Sequence, residues 1–195
     1  MAREIAVTFD YRCPFARNAH EAVVAADRAG TDVTYRYVPF SLDQVHVGEG
    51  ETPVWERDPE KWGTGTWALQ YGIAVRDSFA EGFLDAHVAL FAQRHDHGRQ
   101  LGDRDVVEEA IASVGLDVAA VRAEVDGGQP LKTLAVEHEA MVRDHDVFGV
   151  PTFVEGDEAV FIRFMERGRV DDLERAVALL DWPRFNEFKR TKLPR

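Results

Sequence analysis

Among the side chains able to do covalent chemistry, one thiol stands apart. Cys13 is the single cysteine of the chain and lies in the stretch Val7 to His20, V-T-F-D-Y-R-C-P-F-A-R-N-A-H. An apolar run ends there, a turn follows, and Pro14 opens a helical pattern. Proline suits the first helical position, because its φ is already helical and its missing N–H would have had no partner. The order of residues therefore puts the Cys13 thiol at a helix N-terminus, where unpaired N–H groups and the macrodipole favour negative charge. Such a setting lowers a thiol pKa from about 8.5 to roughly 3.5–7.5, which predicts a nucleophilic thiolate near neutral pH. The competing account is a small apolar residue packed under the first turn, as free cysteines often are. Arg12 and Arg17 are placed to support a thiolate, and Asp10 to oppose it.

The other candidates carry less chemistry. His20 sits about two turns along the same helix, too far to serve easily as a base for Cys13. His46 reads as a loop residue. His95-Asp96-His97 has no further Cys or His at ligand spacing, and a solvated helix end before Gly98 explains it, so no metal is expected. His138 and His145 would share one helix face as core-edge residues. No glycine cluster forms a phosphate loop, since both G-x-G-x-x-G and a Walker lysine are missing.

The elements that must position Cys13 come next. Ile5 to Phe9 reads as a short buried strand. After Cys13, residues Phe15, Ala19, Ala22, Val23 and Ala26 fall on one helix face, with Gly30 as the stop. Val33 to Phe40, rich in Val, Thr and Tyr, reads as a second strand. Strand, helix and strand make a βαβ unit with parallel strands and a right-handed crossover. Active groups in such units lie at the carboxyl ends of the strands, which is where Cys13 falls. From Ser41 to about Trp67 glycines and prolines alternate with Trp55, Trp62 and Trp67, and we read an ordered loop rather than a linker. Helical periodicity then runs through Phe79, Phe83, Ala86, Leu90 and Phe91. A second helix follows, capped by Asp103 or Asp105 and closed by Gly115. A third spans Asp117 to Val125, and a fourth is opened by Pro130. The chain returns to strands at Thr152 to Val154 and Ala159 to Ile162, joined by Glu155-Gly156-Asp157, and ends on a helix through Val170, Leu173, Val177 and Leu180. Phe185 and Phe188 in the basic tail are expected to pack back on the body.

Gly149-Val150-Pro151-Thr152-Phe153 is the second motif. A proline directly before an apolar strand has no N–H for the ladder and so must begin that strand. Together with the Cys13-Pro14 helix start and the βαβ-then-ββα order, it resembles the thioredoxin fold, specifically the DsbA-like branch with a helical domain inserted between the two halves. The likeness covers essentially the whole chain. It implies an α/β, thioredoxin-like fold, with residues 1–40 and 147–195 forming the thioredoxin-like domain. Residues 41–146 would form the connecting loop and the inserted helical domain. It further implies that Pro151 is cis and faces Cys13, and that Val150 offers backbone hydrogen bonds to an extended substrate. The layout and tail are also similar to actinobacterial DsbA-like proteins, some of which use a low-molecular-weight thiol.

The chain departs from the family at one place. Family oxidoreductases carry Cys-x-x-Cys, whereas this motif is Cys13-Pro14-Phe15-Ala16. With alanine at the resolving position and no other thiol, dithiol cycling within one molecule is ruled out. Three chemistries survive. Cys13 could attack a disulfide and be released by an external thiol. The site could instead activate a small thiol for transfer or isomerisation, as in the related kappa-class glutathione transferases and 2-hydroxychromene-2-carboxylate isomerases, which have a serine near the equivalent helix start. Or the thiol could serve a redox-sensing or binding module, oxidised or capped reversibly. We expect the first, a monothiol thiol-disulfide oxidoreductase with Cys13 as nucleophile and Pro14, Phe15, Val150 and Pro151 holding the substrate. A glutathione- or mycothiol-like thiol would be the co-reactant, with no tightly bound cofactor.

Composition agrees with a soluble globular protein. Hydrophobic residues are 45% and charged residues 30% of 195, and 23 basic against 35 acidic residues give a net charge of −12. That balance disfavours nucleic acid and anionic membrane as partners. It leaves a small-molecule thiol or disulfide, with a homodimer open. A lone cysteine forms no internal disulfide, the first residues lack the long apolar run of a signal peptide, and no stretch approaches a membrane span, so a cytoplasmic location is expected.

Overall fold

The computed structural model describes residues 3–184. Phe185 and Phe188 lie outside the described residues. Strand β1 (Arg3–Phe9) leads through a turn into helix α1 (Pro14–Ala29), which ends on Gly30 in the left-handed conformation at φ 69°. Glycine has no Cβ to oppose that geometry. Strand β2 (Val33–Pro39) then pairs in parallel with β1, with Val7 opposite Tyr37.

Helices α2 (Leu42–Val45), α3 (Thr66–Ser78), α4 (Phe83–His95), α5 (Arg104–Ser113), α6 (Val118–Asp126) and α7 (Gln129–His145) follow before the chain returns to the sheet. Strands β3 (Thr152–Glu155) and β4 (Glu158–Phe161) form an antiparallel hairpin, and helix α8 (Val170–Ala178) comes next. The sheet order is β2-β1-β3-β4, with β3 antiparallel to β1 through Val7 opposite Phe153. This is the mixed four-stranded sheet of a thioredoxin-like fold, with β1 at its centre.

Periodicity located α4 to α8 but missed α3, because the expected loop ran to Trp67 and helical pattern resumed only at Phe79. The reason is burial on every side. Nearly the whole of α3, from Ala68 to Val75, is buried, so no polar stripe marks it. Its Gly72 is required by close approach: a Cβ there would meet the hydroxyl of Tyr11 at 2.3 Å. Aspartates start two of the neighbouring helices. Asp103 accepts the Asp105 N–H at 3.0 Å, and Asp117 accepts those of Ala119 and Ala120 at 2.9 and 3.3 Å. No helix among the described residues is long and apolar enough to cross a membrane.

Candidate active site

The turn after β1 brings Cys13 to the carboxyl edge of the sheet. Its N–H donates to the Asp10 carbonyl at 3.0 Å, and its extended backbone makes it the N-cap of α1, with Pro14 in the first turn. The sulfur sits between two backbone groups. Sγ accepts the Ala16 N–H at 3.4 Å and donates to the Val150 carbonyl at 3.4 Å. The Val150–Pro151 peptide is cis. Cys13, expected at a helix start from the order of residues, thus meets the Val150–Pro151 turn that the family resemblance implied, with Pro14 and Phe15 next to it on the helix side.

The loop bearing Pro151 is pinned to the central strand. The Thr152 N–H donates to Thr8 Oγ1 at 2.9 Å, and Thr152 Oγ1 donates to the Gly149 carbonyl at 2.8 Å. The Pro151 carbonyl accepts the Ile162 N–H at 3.2 Å, which ties the same loop to the end of β4. Val150 is 3% exposed, and its carbonyl is engaged by the thiol, so the backbone edge expected to meet a substrate is occupied until that hydrogen bond opens.

The charge state of the thiol corrects the expectation of a helix-lowered thiolate. Cys13 is 9% exposed. Burial pushes its pKa up; the Ala16 and Phe15 amides pull it down, Asp10 adds to the rise and Arg163 opposes it, and the net direction is upward. Donation from Sγ to Val150 fits the same neutral thiol. Loss of water around sulfur outweighs the helix start here.

The two arginines flanking the motif are committed elsewhere. Arg12 Nη1 pairs with Asp43 at 2.7 Å, and its Nε lies 3.4 Å from buried Asp10. Asp10 also accepts the N–H groups of Arg12 and Leu42, both at 2.9 Å, and burial still pushes its carboxyl up. Arg17 pairs with Glu21 at 3.1 Å and with Asp96. Among the described residues, Arg163 acts on the thiol and has no such carboxylate partner; sequence reading missed it. It follows β4 at the edge next to Pro151, so only the sheet topology could have indicated it.

The histidines do other work. His20 and His87 are fully buried and linked, His87 Nε2 to His20 Nδ1 at 3.0 Å. His46 is an exposed residue closing α2, and His95 Nε2 donates to the Tyr11 carbonyl at 3.0 Å. Among the described residues no group of three or more His, Cys, Asp or Glu is arranged to hold a metal ion.

Residues 4–178 match the DSBA-like thioredoxin domain. The chain belongs to that family. Uncharacterized protein Rv2286c of Mycobacterium tuberculosis is 26% identical over 149 residues, which are 76% of this chain and 63% of that one. The chain therefore spans less than two thirds of that relative. The fold is similar to a thioredoxin-like oxidoreductase from Silicibacter pomeroyi DSS-3, with a TM-score of 0.62 and 22% identity over 90% of this chain and 84% of the other. It is equally similar to a 2-hydroxychromene-2-carboxylate isomerase, with a TM-score of 0.64 and 18% identity over 91% and 96% of the two chains. Proteins described as an oxidoreductase and as an isomerase thus share this fold.

Proposed function

We propose that this DSBA-like protein is a monothiol thiol-disulfide oxidoreductase whose nucleophile is Cys13. The observation that carries the reading is the lone thiol at the N-cap of α1, hydrogen-bonded across the site to the carbonyl of Val150 beside Pro151. In the first step Cys13 gives to solvent the proton now hydrogen-bonded to the Val150 carbonyl, and Sγ attacks one sulfur of a disulfide. A Cys13–substrate disulfide forms and the other half leaves as a thiolate, so Cys13 is oxidised as that half is reduced. Ala16 offers no internal thiol, so an external low-molecular-weight thiol, glutathione- or mycothiol-like, attacks the substrate sulfur of the mixed disulfide; a new disulfide forms between that thiol and the substrate half, and Cys13 leaves reduced. Pro14 fixes the turn, while Phe15, Val150 and Pro151 hold the incoming disulfide. Small thiols and disulfides are its partners, and a net charge of −12 speaks against nucleic acid. A cytoplasmic location fits a chain whose single cysteine needs no oxidising compartment.

A second reading is favoured by the neutral state of the thiol. Donation from Cys13, instead of attack by it, would activate a bound small thiol for transfer or isomerisation. The two are separated by treating the folded protein with a small disulfide and weighing it intact. The redox reading expects one adduct, reversed by excess thiol and lost in Cys13→Ser. Absence of an adduct on the wild-type protein, or thiol-dependent activity fully kept in Cys13→Ser, would overturn it in favour of the donor role.

A further inference from the structure

Arg163 is an exposed cation set over two aromatic rings. Its guanidinium carbon lies 5.4 Å from the centre of the Phe15 ring and 5.7 Å from that of Phe161. These rings belong to the two walls of the site. Phe15 is on the first turn of α1, directly after Cys13-Pro14. Phe161 ends β4, one residue before the Ile162 N–H that bonds to Pro151, and a Cβ on Gly149 would touch its ring at 3.3 Å. The guanidinium therefore bridges the helix start and the Pro151 loop. Phe148, 67% exposed, packs against Phe161 with the rings tilted by 51° and centroids 5.0 Å apart, which enlarges the same apolar shelf.

The charge of Arg163 has no carboxylate partner among the described residues, whereas Arg12, Arg17 and Arg167 around the same face are each paired with acids. Stacking on rings orients the planar fork while leaving its N–H edge to solvent, where it fits a carboxylate with two parallel hydrogen bonds. In a chain of net charge −12, a pre-oriented positive group beside the thiol is a local exception to the field of the whole molecule.

We propose that Arg163 is a specificity-determining residue that selects carboxylate-bearing thiols and disulfides for Cys13, binding the carboxylate against the Phe15–Phe161 shelf. This rests on the thiol-disulfide reading above. It favours an anionic, glutathione-like co-reactant over a thiol without carboxylates.

The test compares two disulfide probes on the folded protein, one anionic (5,5′-dithiobis(2-nitrobenzoate)) and one without charge (4,4′-dithiodipyridine). Each forms a mixed disulfide with Cys13 and releases a chromophoric thiol. Arg163→Gln should slow the anionic probe about fivefold more than the uncharged one, the scale of a partly exposed charge pair. Arg163→Glu should widen that gap, and added salt should narrow the preference of the wild-type protein. Arg163 acting only on the thiol's acidity would slow both probes alike and leave their ratio unchanged, which would overturn the proposal. An unreactive wild-type thiol toward both probes would overturn the thiol-disulfide reading itself and the selectivity with it.

Discussion

Cys13 shows two opposing forces acting on one atom. The N-terminus of α1 supplies amides to the sulfur, and this much was visible in the order strand, Cys-Pro, helix. Burial was the competing account of the same residue, and Pro151 was expected opposite it; the strength of that burial was not readable, because Val150 and Pro151 close the wall from more than a hundred residues away. A raised thiol pKa makes a definite forecast: alkylation by iodoacetamide at Cys13 should have a midpoint above the ordinary thiol value of about 8.5. Asp10 contributes to that rise through its charge. Asp10→Asn removes the charge while retaining an acceptor for the Arg12 N–H, and it should move the midpoint down. The same variant turns an amide towards one of the N–H groups that Asp10 now satisfies, so a loss of about 1–3 kcal/mol is expected in urea unfolding. A midpoint at or below 8.5 in the wild-type protein would show that the helix start wins over burial after all. Arg163 is the counterpart lesson. Its type and position are plain in the chain, but its nearness to Cys13 arises only once β4 pairs with β3 beside the Pro151 loop.

At the scale of elements, legibility followed the solvent. Helices with one wet face were readable from their spacing, and the aspartates that start α5 and α6 marked their beginnings because an N-cap oxygen satisfies amides that nothing else reaches. Helix α3 gave no such signal, since Ala68 to Val75 are buried in one unbroken run and its charged residues, Arg76 and Asp77, come only in the last turn. Gly72, which the sequence reading did not single out, costs about 1 kcal/mol in a helix relative to alanine. The Tyr11 hydroxyl occupies the place of a side chain there. Gly72→Ala should accordingly destabilise the protein, against its helix propensity, by about 1–3 kcal/mol through overpacking. Urea denaturation decides this: a variant as stable as the wild type, or more so, would mean that Tyr11 moves aside freely.

Across the whole molecule, a buried polar line joins the sheet to the helical half. The Thr8 carbonyl in β1 only accepts, so His20 Nε2 at 3.1 Å must carry the proton and His20 Nδ1 must accept. His87 Nε2 then donates to His20, leaving His87 Nδ1 to accept from the Tyr11 hydroxyl at 2.8 Å. Both imidazoles in this line are neutral, and a further proton on His20 Nδ1 would set it face to face with the His87 Nε2–H. Burial lowers the His20 pKa to about 4 and takes His87 well below its ordinary value, while His138, stacked on Phe40 in another part of the core, is lowered to about 4 by burial as well. In the unfolded chain these histidines titrate near 6.5. Between pH 6.5 and 4 the unfolded state therefore binds more protons than the folded one. The stability these residues allow is complete above 6.5 and is lost as pH falls towards 4, at up to about 1.4 kcal/mol per pH unit for each histidine. His87→Gln, which can accept from Tyr11 and donate to His20 without titrating, tests the account. It should lower stability at pH 7.5 somewhat, yet make the fall between pH 6.5 and 4 shallower by one histidine's share in urea unfolding series. An identical slope in both proteins would mean that His87 is charged in the folded state, and that the direction of protons along this line is not the one drawn from the Thr8 carbonyl.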